Sequence, residues 1–334
     1  MHIELVVPAL FPAQDLPPAS MPALALLLAR GRRSNGEAAS LERWLVRAFG
    51  VDGSAIPAGA LTALAHGMDP GARTWLRADP VHLRPDRDRL LLVPSQAFGV
   101  TLEEARQLTN ALGPLLSGKL TLHPLAPDQW CLEVKDEIDE GNAIAADAQP
   151  PIELAGVNID PHLPPRAWHA LLTELQMALY EHAVNTARER RGDPAINSLW
   201  LWGAGKLPAG AAGPWQSLGA NDSVAIGLAR SAGIRNRAPG AGAAAWFERA
   251  PQDGRHLLVL DDLRGVSALG DLEGHVRRLK ALEADWFAPL LAALKAGRFG
   301  MLTIHAPEAA ASFEAVRGDL HRFWRRPRPL AAYA

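Results

Sequence analysis

A mostly parallel β-sheet with helices on both faces, plus a small inserted α+β segment, is predicted for this chain by three observations. Short apolar runs rich in β-branched or large side chains recur near both ends. They are Ile3-Glu-Leu-Val-Val before Pro8, Ser198-Leu-Trp-Leu-Trp-Gly, His256-Leu-Leu-Val-Leu before Asp261-Asp262, and Phe299-Gly-Met-Leu-Thr-Ile-His. Between them lie amphipathic stretches of helical period, the alternation that makes a parallel sheet covered on both sides. From Thr74 the pattern changes to strand–turn–strand, helix, strand, strand, an α+β order. The predicted division is a first part of the core over residues 1–74, an inserted α+β domain over 75–190, and a second part of the core over 191–334.

The elements follow from local chemistry. Leu24 to Arg30 reads as a short helix, with Pro22 suited to its first turn and Gly31 at its end. Ser40 is an N-cap for a helix to Phe49, with Leu41, Trp44, Leu45 and Ala48 on one face. Gly- and Pro-rich sequence then surrounds a short helix near Ala60–His66. In the insertion, runs from Trp75 and from Asp88 flank a turn at Arg84-Pro-Asp-Arg. Thr101-Leu-Glu-Glu is a capping box opening a helix that carries Ala105, Leu108 and Leu112. Leu120–Leu122 and Trp130–Val134 read as strands, followed by an acidic loop at Asp136–Glu140. Pro165 to about Arg191 reads as one helix, and Leu272 to Leu294 as another with a break at Pro289.

Composition narrows the function classes. The 334 residues carry 34 Lys+Arg against 36 Asp+Glu, so no global charge favours nucleic acid or an acidic membrane. The single cysteine, Cys131, forbids an intrachain disulfide and a Cys-based zinc site, which suits a reducing compartment. The start lacks a basic n-region, and Leu24–Ala29 is too short to span a bilayer. A cytoplasmic location is expected. Ten Trp stand against two Tyr; Trp200 and Trp202, two apart on a strand, share one face and suit packing between layers.

Four constellations could carry chemistry. Gly203-Ala-Gly205-Lys206 after an apolar strand suggests a phosphate loop, but Leu207-Pro208 follows and neither nucleotide pattern is complete, so a tight strand-end turn competes. Asp261-Asp262, with companions among His256, Asp271, His275 and His305, could hold a cation at strand ends, against the simpler reading of an acidic loop at a sheet edge; a two-metal hydrolase needs five to seven such ligands. Ser54 in Asp52-Gly-Ser-Ala is a candidate nucleophile without an adjacent base. Arg77, Asp79 and His82 are expected along one strand face, either clamping an anion or forming a structural salt bridge. The basic end Phe323-Trp-Arg-Arg-Pro-Arg-Pro reads as a docking tail for an acidic partner or as a solvated end folded back by Trp324.

Trp75-Leu-Arg-Ala-Asp-Pro-Val-His-Leu, Glu174-Leu-Gln-Met-Ala-Leu, Asn197-Ser-Leu-Trp-Leu-Trp-Gly-Ala-Gly and Phe323-Trp-Arg-Arg together resemble the bacterial "regulatory protein, RpfE type" family, labelled phosphoglycerate-mutase-like. More remotely, the order of features is similar to the archaeal type of cofactor-independent phosphoglycerate mutase in the alkaline phosphatase superfamily. The resemblance implies an alkaline-phosphatase-like core with an inserted domain. It also implies a metal-binding Asp after the first strand, where this chain reads Val7-Pro8-Ala9-Leu10. The mutases' nucleophile loop is met only by Gly53-Ser54-Ala55. Their late Asp-His metal pair falls on Ile304-His305, and their Asp-x-x-x-His pair falls near Asp261–His275 without its spacing. The expectation is a metal-site-degenerate protein with no cofactor, binding a small anionic ligand or a protein. The alternative is an active phosphotransferase or phosphatase that uses Mn or Zn on a relocated site of Asp261, Asp262 and His305, with Ser54 as nucleophile. A third reading keeps Arg77 and the Gly203–Gly205 turn as an anion sensor.

Overall fold

The structure, a computed structural model, describes residues 1–334 other than 13, 15, 18, 54, 117, 136–148 and 252. In chain order it opens with β1 (His2–Val6), α1 (Pro22–Arg30), β2 (Arg32–Asn35) and α2 (Leu41–Ala48). Next come α3 (Ala58–Ala65), β3 (Thr74–Asp86), β4 (Arg89–Pro94), α4 (Leu102–Leu112), β5 (Leu120–Ala126), β6 (Gln129–Val134), α5 (His169–Tyr180), α6 (Ala183–Arg190) and β7 (Ser198–Gly205). The remainder is β8 (Ser217–Gly219), α7 (Ser223–Ser231), β9 (Arg235–Arg237), α8 (Ala243–Phe247), β10 (Arg255–Val259), α9 (Asp262–Ala268), α10 (Leu272–Leu282), α11 (Ala288–Lys295), β11 (Met301–Ala306) and β12 (Ala311–Val316). Among the described residues no helix is long and apolar enough to cross a membrane.

Two compact units result, Met1–Val51 with Gly210–Ala334, and Asp52–Ala209. The first is the α/β unit. Its seven-stranded sheet runs β2-β12-β11-β1-β10-β8-β9, with β11, β1, β10, β8 and β9 parallel and β12 antiparallel to both its neighbours. One face carries Ile3, Leu5, Leu258, Leu302 and Ile304, packed with Leu24 and Leu27 of α1, Leu279 of α10 and Leu290 of α11. Met21, the residue preceding α1, has no side chain that can cap it. Glu283 does so from the wide turn Glu283–Phe287 joining α10 to α11, accepting from the amides of Ala23 at 2.6 Å and Leu24 at 3.0 Å. That turn directly precedes Pro289, where a break was expected.

The second unit is built on an antiparallel five-stranded sheet, β4-β3-β6-β5 with β7 on the other side of β3. Leu76, Ala78, Leu132, Leu199 and Leu201 face Leu108 of α4 and Leu175 of α5. On the other face Trp75 and Cys131 meet Ala60 and Ala63 of α3.

This pairing moves the expected boundaries of 75 and 190. The run 198–205 is not a core strand: it lies antiparallel to β3, with Trp202 opposite Arg77 and Trp200 opposite Asp79. α3 packs on the same sheet, so the insertion spans 52–209. An apolar strand reads the same in either sheet; only its partner decides. The predicted helix 165–191 is two, because His182 caps α6, its Nδ1 accepting from Val184 N at 3.1 Å. The acidic loop at Asp136–Glu140 lies outside the described residues.

One buried group is at odds with its surroundings. His275 on α10 is fully buried, and neither ring nitrogen has a hydrogen-bond partner among the described residues. Burial therefore holds its pKa below the ordinary value of 6.5. The unfolded chain binds this proton more readily, so stability is lost as pH falls through about 6.5. His275→Leu is expected to raise stability by about 1–2 kcal/mol at pH 7 and to soften the loss between pH 7 and 5. Urea titrations at both pH values test this; an unchanged or steeper acid loss in the variant would contradict it.

Candidate functional site

In an open parallel sheet the carboxyl ends of the strands are where ligands collect. Those of β1, β8, β10 and β11 lie along one edge of the α/β unit. Past β1 comes Val7-Pro8-Ala9, with Ala9 at φ +56°, the left-handed region that suits glycine. Its amide donates to Glu308 Oε2 at 3.1 Å, just beyond β11. Past β8, Asp222 caps α7 by accepting from Ala225 N at 2.8 Å. Past β10 stand Asp261 and Asp262.

The cation at this edge is an arginine. Arg264 on α9 grips the buried Glu42 of α2 with both guanidinium arms, Nη1 to Oε1 at 2.7 Å and Nη2 to Oε2 at 2.9 Å. Around this pair the acids are crowded. Burial first, then the charges of Glu42 and Asp261, push the Asp222 carboxyl up to about 6. Burial chiefly, with help from Asp262 and Glu42, raises Asp261; Arg264 pulls both acids back down. Asp262 is exposed and lies 3.8 Å from Arg278, a solvated contact.

His305 lies on β11 with both ring nitrogens engaged. Nδ1 meets Ser312 Oγ at 2.8 Å, Nε2 meets Glu4 Oε2 at 3.4 Å, and Trp44 of α2 packs on the ring at 4.9 Å. Glu4 also accepts from Trp215 Nε1 at 3.1 Å and Arg255 Nη2 at 2.7 Å. Burial pushes the Glu4 carboxyl up, but the bonds to His305 and Arg255 outweigh it and hold it at about 2. His305 thus belongs to a polar cluster between the sheet and α2.

These residues do not fit a two-metal centre. Such a centre needs several carboxylates and imidazoles with free lone pairs converging on one point. Here both oxygens of Glu42 face a guanidinium, Asp222 accepts from a helix amide, and both nitrogens of His305 are engaged. Among the described residues no group of three or more His, Cys, Asp or Glu side chains could hold a metal ion. Asp261, Asp262 and His305 are therefore not brought together as a ligand set. Ser54 lies outside the described residues.

The remaining candidates fall in the second unit. Arg77 and Asp79 are both buried and paired, Nη2 to Oδ1 at 2.7 Å and Nε to Oδ1 at 2.8 Å. Trp202 Nε1 donates to Asp79 Oδ2 at 2.7 Å, and its ring lies under the guanidinium at 5.2 Å. Burial pushes Asp79 up to about 6 against the pull of Arg77 and Trp202. This is the structural salt bridge of the two alternatives. His82 does not share that face: 77 and 79 are odd positions and 82 is even, and its Nδ1 meets Ala195 O at 2.8 Å. The expected single face was an error of parity.

Gly203 and Gly205 end a β-strand of the antiparallel sheet, so they are not at a parallel strand's carboxyl end. They let α3 approach: a Cβ on Gly203, at φ +61°, would lie 2.5 Å from Ala58 Cβ, and one on Gly205 would lie 2.8 Å from Pro57 Cβ. Lys206 is exposed. The turn serves close packing of helix on strand. Sequence reasoning missed Glu42, Asp222 and Arg264. The available signals were the Asn221-Asp222-Ser223 cap and an acid in the first turn of a helix opened by Ser40.

The fold and this edge define an α/β protein with a mostly parallel sheet and an inserted antiparallel unit, in which an arginine–carboxylate pair joins α9 to α2 beside the strand ends. No model of a known protein family matches the chain. A stretch of 168 residues is 28% identical to a protein of Geobacter sulfurreducens described as "Probable 2,3-bisphosphoglycerate-independent phosphoglycerate mutase". It covers 48% of this chain and 41% of that protein, so the chain matches less than half of that relative's length. Among solved structures, the PH0037 protein from Pyrococcus horikoshii superposes with a TM-score of 0.53 at 15% identity, covering 94% of this chain and 87% of that one. A cofactor-independent phosphoglycerate mutase from Thermoplasma acidophilum gives a TM-score of 0.43 at 17% identity, covering 95% and 90%. The chain is distantly similar to cofactor-independent phosphoglycerate mutase.

Proposed function

We propose that this chain is a phosphoglycerate-mutase-like protein without phosphotransfer chemistry, acting by binding in a regulatory role of the RpfE type, without a metal cofactor, in the bacterial cytoplasm. The observation that carries the reading is the two-armed grip of Arg264 on Glu42. A guanidinium supplies the strand-end acids with positive charge, yet it cannot polarise a phosphoryl oxygen as a Lewis acid does or lower the pKa of a bound water. Val7-Pro8-Ala9, where the mutases place a metal-binding Asp, supports the same reading. The single buried cysteine supports the location.

Purified protein loaded with Mn²⁺ or Zn²⁺ and desalted is expected to retain no stoichiometric metal and to show no mutase or phosphatase turnover. Two ions per chain with chelator-sensitive turnover would overturn the reading and restore the relocated-site enzyme.

A further inference from the structure

At the β2 edge of the α/β unit, α1, β2, β12 and the closing segment 322–334 enclose a groove of about 630 Å³, within the range of ligand sites. Arg32, Arg33, Arg325, Arg326 and Arg328 line it, and no carboxylate side chain does. None of the five makes an ion pair among the described residues, although the whole chain carries a net charge of −2. Arg33 Nη2 reaches Ala334 O at 3.5 Å and Arg32 stands opposite Glu314 in the β2–β12 register, so the positive charge is in local excess.

The closing segment is held as one wall of this groove. Tyr333 is buried, packs edge-on to Phe313 at 6.2 Å, and its hydroxyl accepts from Arg328 N at 2.9 Å. Arg325 Nη1 donates to Gly31 O at 3.0 Å, and Arg33 lies over the Phe313 ring at 5.8 Å. Trp324, expected to fold the segment back, is 67% exposed, and its neighbour Phe323 is 75% exposed. The anchor is Tyr333; Trp324 lines the groove and Phe323 packs edge-on to it, both left exposed.

β2 is the last strand of its sheet. All four of its residues are exposed, and β12 pairs with one side of it only. Its outer main-chain groups are thus available to an added strand.

We propose that this groove is a docking site for an acidic, extended polypeptide segment of a partner protein. The segment pairs its main chain with β2, sets its carboxylates against the arginines, and packs apolar side chains on Phe323 and Trp324. Guanidinium groups match carboxylates in geometry as well as charge. A nucleic acid would also meet the charge, but it has no main chain to pair with β2. The Phe323 and Trp324 rings stand at 81° to one another, not as successive parallel platforms for bases. The proposal is independent of the chemistry at the strand ends, which lies elsewhere on the unit.

Fluorescence anisotropy with the full chain tests it. The probe is a labelled eight-residue peptide alternating Glu and Val, compared with its Lys–Val counterpart. Two further probes are the same Glu–Val peptide N-methylated at every second residue and an oligodeoxythymidylate of equal charge. The Glu–Val peptide is expected to bind, with affinity falling as salt rises, and the Lys–Val peptide is not. N-methylation, which removes main-chain donors and leaves the charge, is expected to weaken binding at least about tenfold. The double variant Arg326→Glu, Arg328→Glu is expected to do the same with an unchanged thermal midpoint, since both side chains are exposed. No binding of the Glu–Val peptide, equal binding of the N-methylated one, or tighter binding of the oligonucleotide would overturn the proposal. The peptide comparisons use the unaltered protein, so they decide even if the double variant misfolds.

Discussion

Arg264→Ala is expected to lower the stability of the α/β unit by about 3–5 kcal/mol at pH 8, the usual cost of leaving one partner of a buried pair uncompensated. The remaining Glu42 is buried and bears on Asp222 and Asp261, both already raised above the ordinary carboxylate value. The sign of the pH effect follows. An acid whose folded pKa is raised holds its proton more firmly in the folded state, so its penalty is largest above that pKa and fades below it. The loss should therefore shrink between pH 8 and pH 5, as Asp222 protonates near 6.

A second consequence separates this picture from an ordinary salt bridge. With the guanidinium gone, Glu42, Asp222 and Asp261 are left with an excess of negative charge although, among the described residues, they form no three-ligand group, so millimolar Mn²⁺ or Ca²⁺ is expected to restore part of the loss by charge screening in the variant and leave the parent unchanged. Thermal and urea unfolding with and without metal measure both effects. A variant as stable as its parent, or a parent that responds equally to metal, would mean that Arg264 does not stand in a cation's place.

Arg77→Met is expected to cost about 3–5 kcal/mol at pH 8, because Asp79 would then be a buried charge with, among the described residues, the Trp202 N–H to solvate it. Asp79 is already pushed up to about 6, and losing the arginine raises it further. At pH 5 it can be protonated, and the cost should fall well below its value at pH 8. The double variant Arg77→Met, Asp79→Asn is expected to recover most of the stability, since it keeps an acceptor for Trp202 and removes both charges. Equal losses at the two pH values, or a double variant no better than the single, would show that the charge of Asp79 is not the source. An anion sensor built on Arg77 is disfavoured by the same geometry, since its guanidinium is buried, paired and stacked.

The two arginines differ in how far their roles could be read. Arg77 and Asp79 are two apart on a strand, so their pairing follows from the period of the pleat, whereas the relation of His82 to them was lost to a simple parity count. Arg264 and Glu42 are 222 residues apart, and the first-turn position of Glu42 in a capped helix says nothing of its distant partner. The capping box at Thr101 and Glu104 was legible for the opposite reason: its two partners are three residues apart and answer only to each other. The strands β8 and β9 were invisible, each three residues long and partly polar, because they exist only through the parallel neighbours they join. β2, an exposed Arg-Arg-Ser-Asn, has no apolar face for a pattern to find.

By itself, then, the sequence determined the α/β class, the presence of an insertion, the helices opened by Ser40 and Thr101 with their caps, and the Val7-Pro8-Ala9 run after β1. Each of these depends on periodicity or on groups within a few residues. Only the tertiary structure decided that the strand at 198–205 belongs to the insertion, that two glycines admit a helix, and that Arg264 pairs with Glu42 beside the strand-end acids. Those outcomes depend on which surfaces meet across long stretches of chain, and burial, acting between distant residues, sets the charge each group can carry.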